Sequence, residues 1–199
     1  MKRLVLASGN PGKLRELAAI LADLGYDLHA QSEFGVTEVA ETGTTFVENA
    51  IIKARHAAEH TGLPALADDS GIEVDALDGA PGVYSARFAG AAADDAANNA
   101  LLVEKLRAVP AAQRGARYRA VIVLMRNAAD PSPLICEGSW DGMIRLEPAG
   151  DGGFGYDPYF FVPELGCTSA QLDAAEKNRL SHRGKALGEL KCKLGEWHV

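Results

Sequence analysis

Short apolar runs and longer helical stripes take turns along this chain. Arg3 to Ala7 carries the unbroken run Leu4-Val5-Leu6-Ala7 and predicts a buried strand. The turn cluster Ser8-Gly9-Asn10-Pro11-Gly12 follows. Leu14, Leu17, Ile20, Leu21 and Leu24 then recur on one helical face until Gly25 stops the pattern. Tyr26 to Gln31 predicts a second strand. Strand, helix, strand in that order favours a parallel pair under helical cover. After the polar stretch Ser32 to Thr44, Thr45 and Glu48 have the spacing of a capping box. The helix they open runs to about His60, with Gly62 beyond.

Strands are expected at Pro64 to Asp68 and Ile72 to Ala76, on either side of Asp69-Ser70-Gly71. Asp94 or Asp95 caps a helix that ends before Pro110. The β-branched run in Arg117 to Arg126 predicts a strong strand. Leu134 to Trp140 and Met143 to Glu147 read as two strands joined at Asp141-Gly142. A glycine-dense loop, Gly150 to Pro158, leads into the short strand Tyr159 to Val162. A last helix starts near Leu172 or Asp173 and breaks around Ser181.

The net charge of -7 narrows the choice of partners. Proteins that hold nucleic acid polymers normally show a basic surplus, so no such partner is expected. A small anion remains possible if a local cluster of cations or a metal receives it. Cys136, Cys167 and Cys192 are odd in number and form no C-x-x-C pair, which argues against zinc or a disulfide framework. The run Leu4 to Ala7 is shorter than the ~7–15 residues of a signal-peptide core. No segment approaches the ~20 apolar residues of a membrane span. A cytoplasmic protein with no membrane partner is the expectation.

The chemistry begins with Asp68-Asp69, two carboxylates that follow an apolar run. Adjacent strand side chains point to opposite faces, and a buried carboxylate needs a cation or donors to meet it. Ser8 to Lys13 lies between a strand and a helix, where backbone N–H groups and the helix dipole favour an anion. It lacks the spacing of a Walker A loop. An ordinary turn with a solvated lysine explains it equally well. Asn49, Lys53 and His56 share one helical face, a pattern more often solvated than functional. Glu41 and Asp69 match the one or two carboxylates that Mg²⁺ commonly takes. Phe154 and Tyr156 stand among glycines, where a ring can present its face to a base; a tight turn with both rings in the core is the plainer reading. Lys177 and Ser181-His182-Arg183-Gly184-Lys185 form a basic island, though cations near a helix C-terminus are also ordinary.

Taken together, these segments resemble the inosine/xanthosine triphosphate pyrophosphatase family. The resemblance covers essentially the whole chain. It rests on Ser8 to Lys13, Glu41-Thr42-Gly43 with Phe46 to Lys53, and Ala67-Asp68-Asp69-Ser70-Gly71. It continues through Gly79 to Gly82, Tyr84 to Arg87, Gly153 to Pro158 and Ser181-His182-Arg183. It implies an α/β fold, an elongated mixed sheet with flanking helices and two lobes around a central cleft, formed by residues 1–199 as one two-lobed domain. It further implies a homodimer that hydrolyses ITP, dITP and XTP to monophosphate and pyrophosphate with Mg²⁺, keeping deaminated purines out of nucleic acids.

Carried over by residue, Ser8, Gly9, Asn10, Pro11, Gly12 and Lys13 would bind the triphosphate, with Lys53 assisting. Glu41 and Asp69 would hold Mg²⁺. Asp69 would be the proton acceptor, a role Asp68 could share, and Lys13 would join them in catalysis. Ser70 would touch the substrate. Phe154, Gly155, Tyr156 and Asp157 would cradle the base, with Phe154 stacking. Lys177, His182 and Arg183 would complete the nucleotide site, the last two near the 6-oxo edge. On this expectation the positive partner of the acidic pair comes largely with the substrate's metal. Two other readings compete: a Maf-like pyrophosphatase acting on modified pyrimidine or methylated nucleotides, which should lack the Phe154 loop and the His182-Arg183 pair, and a non-catalytic nucleotide sensor, which would not need the carboxylates.

Overall fold

The computed structural model describes residues 2–9, 11–22 and 24–195, and not the side chains at positions 11, 12, 15, 16, 19 and 20. The elements are β1 (Lys2–Leu6), α1 (Pro11–Ala22), β2 (Tyr26–Ala30), α2 (Phe46–Thr61), β3 (Ala65–Val74), α3 (Asp95–Leu106), β4 (Gly115–Met125), β5 (Leu134–Ile144), β6 (Phe160–Val162), β7 (Cys167–Thr168), α4 (Ala174–Leu180) and α5 (His182–Leu194). Seven strands form a mixed sheet in the order β2-β1-β3-β4-β5-β6-β7. β1 runs parallel to both β2 and β3, whereas β6 runs antiparallel to β5 and β7.

The chain divides into two compact units, each built from separated segments. The first holds residues 1–69, 120–137 and 185–199. Its core packs Leu4, Leu6, Leu17, Leu21, Leu66, Ile122, Leu124, Leu187 and Leu190. The second holds residues 70–119 and 138–184. Its core packs Ile72, Val74, Leu102, Leu106, Tyr118, Trp140, Tyr156 and Phe160.

The predicted helix at Thr45 forms as its spacing requires. The Thr45 side chain accepts from the Glu48 N–H, and the Glu48 carboxylate accepts from the Thr45 N–H. Gly62, at φ 66°, closes the helix.

Two strand predictions are corrected. Asp68 to Gly71 does not separate two strands, because β3 runs unbroken through the acidic pair and is buried along nearly its whole length. Burial on both faces removes the alternation that would have marked continuity. Asp141-Gly142 is not a turn either, since β5 passes straight through it. A Cβ on Gly142 would stand 2.6 Å from both Phe160 Cζ and the Phe161 carbonyl oxygen. Glycine is there for the close approach of β6.

The last helix breaks at Ser181 as expected. The Ser181 N–H closes α4 onto the Lys177 carbonyl, and its hydroxyl accepts from the Gly184 N–H at 3.1 Å to start α5. Among the described residues, no helix is long and apolar enough to cross a membrane.

Candidate active site

In the first unit, α1 leads from β1 to a neighbour on one side, while α2 leads towards β3 on the other. Such a reversal of strand order leaves a crevice at the carboxyl ends of the strands. Val5 pairs with Ala65 and Leu6 with Leu66, and the Ala7 N–H donates to the Leu66 carbonyl at 2.8 Å. This register sets the turn at Ser8-Gly9 beside Ala67-Asp68. A Cβ on Gly9 would stand 2.8 Å from Glu38 Oε1, so the glycine is there for the close approach of the Glu38 carboxylate. Pro11 opens α1, where its missing N–H has no intrahelical partner to lose. Asn10 and the side chains of Pro11 and Gly12 lie outside the described residues.

The acidic pair is met by two lysines from two helices. Asp68 is buried, and its Oδ2 lies 2.6 Å from Nζ of Lys13 on α1. Asp69 Oδ1 lies 2.7 Å from Nζ of Lys53 on α2. The same Lys53 ammonium donates to Glu41 Oε1 at 2.8 Å and to the Asp68 carbonyl at 2.9 Å. Lys13 and Lys53 balance these carboxylates in the protein itself, because an unpaired buried charge is too costly to leave.

Burial pushes the Asp69 carboxyl above its ordinary value, against the attraction of Lys53, with Glu41 and Asp68 adding to the rise. Burial also pulls on Lys53, but Asp69 and Glu41 outweigh it and hold the ammonium above the usual lysine value. Both shifts favour retaining protons in this crowded group of charges.

Glu41 reaches Lys53 because its loop is pinned. Asn49, one helical turn before Lys53, is fully buried and accepts the Gly43 N–H at 2.8 Å. A Cβ on Gly43 would press on Glu48 and Asn49. His56, on the same stripe, bonds to the Thr37 carbonyl at 3.1 Å and has a structural place. Among the described residues, no three His, Cys, Asp or Glu side chains gather to hold a metal ion. Glu41 and Asp69, with the Asp68 carbonyl, instead surround a cation with three hard oxygen donors. That set fits Mg²⁺, which keeps water and phosphate oxygens in its remaining positions.

In the second unit the centre is Asp157, which is 3% exposed. Its carboxylate pairs with Lys177 and accepts from the Phe154 N–H at 2.8 Å, the Ser169 hydroxyl at 2.8 Å and the Tyr118 hydroxyl at 3.3 Å. Tyr156 is buried too and donates its hydroxyl to the Ser85 carbonyl at 2.7 Å. Of the expected base cradle, Tyr156 and Asp157 thus form the support. Phe154 is the exposed face, 56% accessible, with Lys177 Nζ 5.2 Å and Arg183 Cζ 5.8 Å from its ring centre. Gly155 holds the loop at φ 61°; its carbonyl accepts from Asn99 and its N–H donates to Asp95. Arg183 donates to Ser70 Oγ at 3.2 Å, so two expected substrate residues meet.

A family model, that of the Ham1 family, matches residues 4–193. The chain belongs to the Ham1 family. It is 61% identical over 196 residues to a dITP/XTP pyrophosphatase of Vibrio vulnificus, covering 98% of each chain. It is 63% identical over 194 residues to a protein of the same name from Xanthomonas oryzae pv. oryzae, again covering 98% of each. The solved HAM1 protein of Coxiella burnetii superposes with a TM-score of 0.95 at 53% identity, over 99% of this chain and all of that one. The resemblance read from the motifs and the mixed α/β fold are both borne out.

This Ham1 chain also contains residues that the motifs do not mark. Tyr118, between Arg117 and Arg119 in β4, lies flat on His182 and bonds Asp157. Burial, then the Asp157 charge, drives its hydroxyl well above the ordinary tyrosine value, so it stays a donor. Ser169 and Asn99 are equally silent in sequence. The only available signal was polarity at positions where the pattern demanded core.

Proposed function

We propose that this chain is a nucleoside triphosphate pyrophosphatase that cuts dITP, ITP and XTP between the α- and β-phosphates, a house-cleaning activity against deaminated purines. The observation that carries the reading is the pairing of Lys13 with Asp68 and of Lys53 with Glu41 and Asp69 where β1 ends beside β3. Family membership supports it, and relatives at 61% and 63% identity bear the name dITP/XTP pyrophosphatase.

The chain's own groups divide the work. Backbone N–H groups at the start of α1 and the ammonium groups of Lys13 and Lys53 hold the phosphates and meet charge that develops on the departing pyrophosphate. Ionised Asp69 orients a water and takes its proton as the water attacks the α-phosphorus in line. Phe154 stacks on the base, while Lys177, His182 and Arg183 offer donors to its oxo edge. Glu41 and Asp69 would hold Mg²⁺, which when bound neutralises phosphate charge. The resemblance also supports a cytoplasmic homodimer, which light scattering on the purified protein tests.

Pyrophosphate release should be measured for dITP, XTP, ITP, GTP and ATP, with Mg²⁺ and with chelator. Release from the oxo-purine nucleotides that greatly exceeds release from ATP is expected. Equal rates with ATP and ITP, or no release from any of them, would overturn the proposal.

A further inference from the structure

The Lys53 ammonium occupies the place where a metal would sit. Three oxygens surround its Nζ, Asp69 Oδ1 at 2.7 Å, Glu41 Oε1 at 2.8 Å and the Asp68 carbonyl at 2.9 Å. Two of them belong to the carboxylates that best suit Mg²⁺. An ammonium and a metal ion cannot share those oxygens, since two positive charges a few ångströms apart repel strongly.

We propose that Lys53 is a stand-in cation that competes with Mg²⁺ for this oxygen cage, and that the incoming metal displaces it towards the substrate's phosphates. The proposal rests on the pyrophosphatase reading for the identity of the metal and the anion. The side chain suits the task, because lysine is a point charge on a flexible stem with three rotatable donors. Its partners suit it as well. Asp69 is 7% exposed and would stand as an uncompensated buried charge if no cation were present between turnovers. One lysine thereby serves two states. Without metal it neutralises the carboxylates; with metal it is released to an anion that arrives at the same time. The binding of Mg²⁺ and of nucleotide should then reinforce one another.

The test is calorimetric titration of Mg²⁺ alone into the wild-type protein and Lys53→Met, with Lys191→Met on exposed α5 surface as the charge control. Lys53→Met should bind Mg²⁺ about tenfold more tightly or better, because the resident cation is gone. It should also bind a nucleotide triphosphate more weakly, whereas Lys191→Met should match wild type. A merely structural lysine would weaken both ligands when removed. Equal or weaker Mg²⁺ binding in Lys53→Met, or no Mg²⁺ binding by either protein, overturns the proposal. If Lys53→Met fails to fold, reductive methylation of Lys53 in the wild-type protein decides. Added Mg²⁺ should raise its rate, and an unchanged rate refutes displacement. Pyrophosphate release by the wild type is scored separately, so a failed functional reading is not confused with a failed competition.

Discussion

Tyr118 and His182 lie face to face, their ring centres 4.7 Å apart and their planes 11° from parallel. The stack fixes the plane of an imidazole expected at the base edge, and the Tyr118 hydroxyl ties that plane to the carboxylate under Phe154. Tyr118→Phe keeps the stack and removes one hydrogen bond. A stability loss of about 0.5–1.5 kcal/mol is expected, with KM for dITP little changed. Tyr118→Leu removes the stack, and KM should rise more than kcat falls. Steady-state kinetics beside urea denaturation measures both.

Asp69 should control the acid side of the activity profile. Burial raises its carboxyl above the ordinary value of ~3.9. The protonated form therefore persists to higher pH, and kcat/KM should begin to fall, on acidification, at a pH above that of an ordinary aspartate. Asp69→Asn should lower kcat by ~10²–10⁴-fold and abolish that limb. Near-normal turnover in a folded variant would remove Asp69 from the chemistry.

Asp130 offers a stability test away from the site. Its buried carboxylate accepts from the Arg126 N–H and guanidinium and from the Ser132 N–H. Arg126 foremost holds it well below the usual carboxylate range. A depressed folded value means the stabilisation is present above the unfolded pKa of ~3.9 and is lost as pH falls towards the folded value. Asp130→Asn should cost about 1–3 kcal/mol at pH 7 and less at pH 3, where the unfolded carboxyl is largely protonated and the folded one is still ionised. Urea denaturation at the two values provides the comparison.

The three thiols should react in order of exposure. Cys192 is exposed, Cys167 is half-buried and Cys136 is buried. Burial pushes the Cys136 thiol up to about 11, leaving almost no thiolate at neutral pH. A thiol reagent should label Cys192 first and Cys167 more slowly. Cys136 should be labelled only after the protein is unfolded.

The alternation of strands and helices was legible because each rests on local signals: Thr45 with Glu48, Gly62, the leucines of α1 and the run at Val121. The break at Ser181 was legible for the same reason. The continuity of β3 and β5 was not, because Asp69, Gly71 and Gly142 look like punctuation until neighbouring strands cover them. The site followed the same division. Lys13, Lys53, Glu41 and Asp69 carry charge and announce themselves. Tyr118 and Ser169 act by touching Asp157 from elements far off in sequence, and no local pattern encodes such a contact. Likewise, that Tyr156 and Asp157 support the loop while Phe154 presents its ring depends on burial, which three nearby polar or aromatic letters do not reveal.

Asp68 and Asp69 are the same residue twice, and only parity along β3 distinguishes them. One faces the lysine of α1 and the other the lysine of α2. Deleting or inserting a single residue upstream of them in β3 would exchange their partners and turn the core side chains of the strand over with them. A change of two residues would restore the faces but carry both carboxylates ~6.6 Å along the strand, away from the two lysines. The length of β3 ahead of the acidic pair should therefore be held fixed among working proteins, a constraint on permitted insertions that arises from geometry alone.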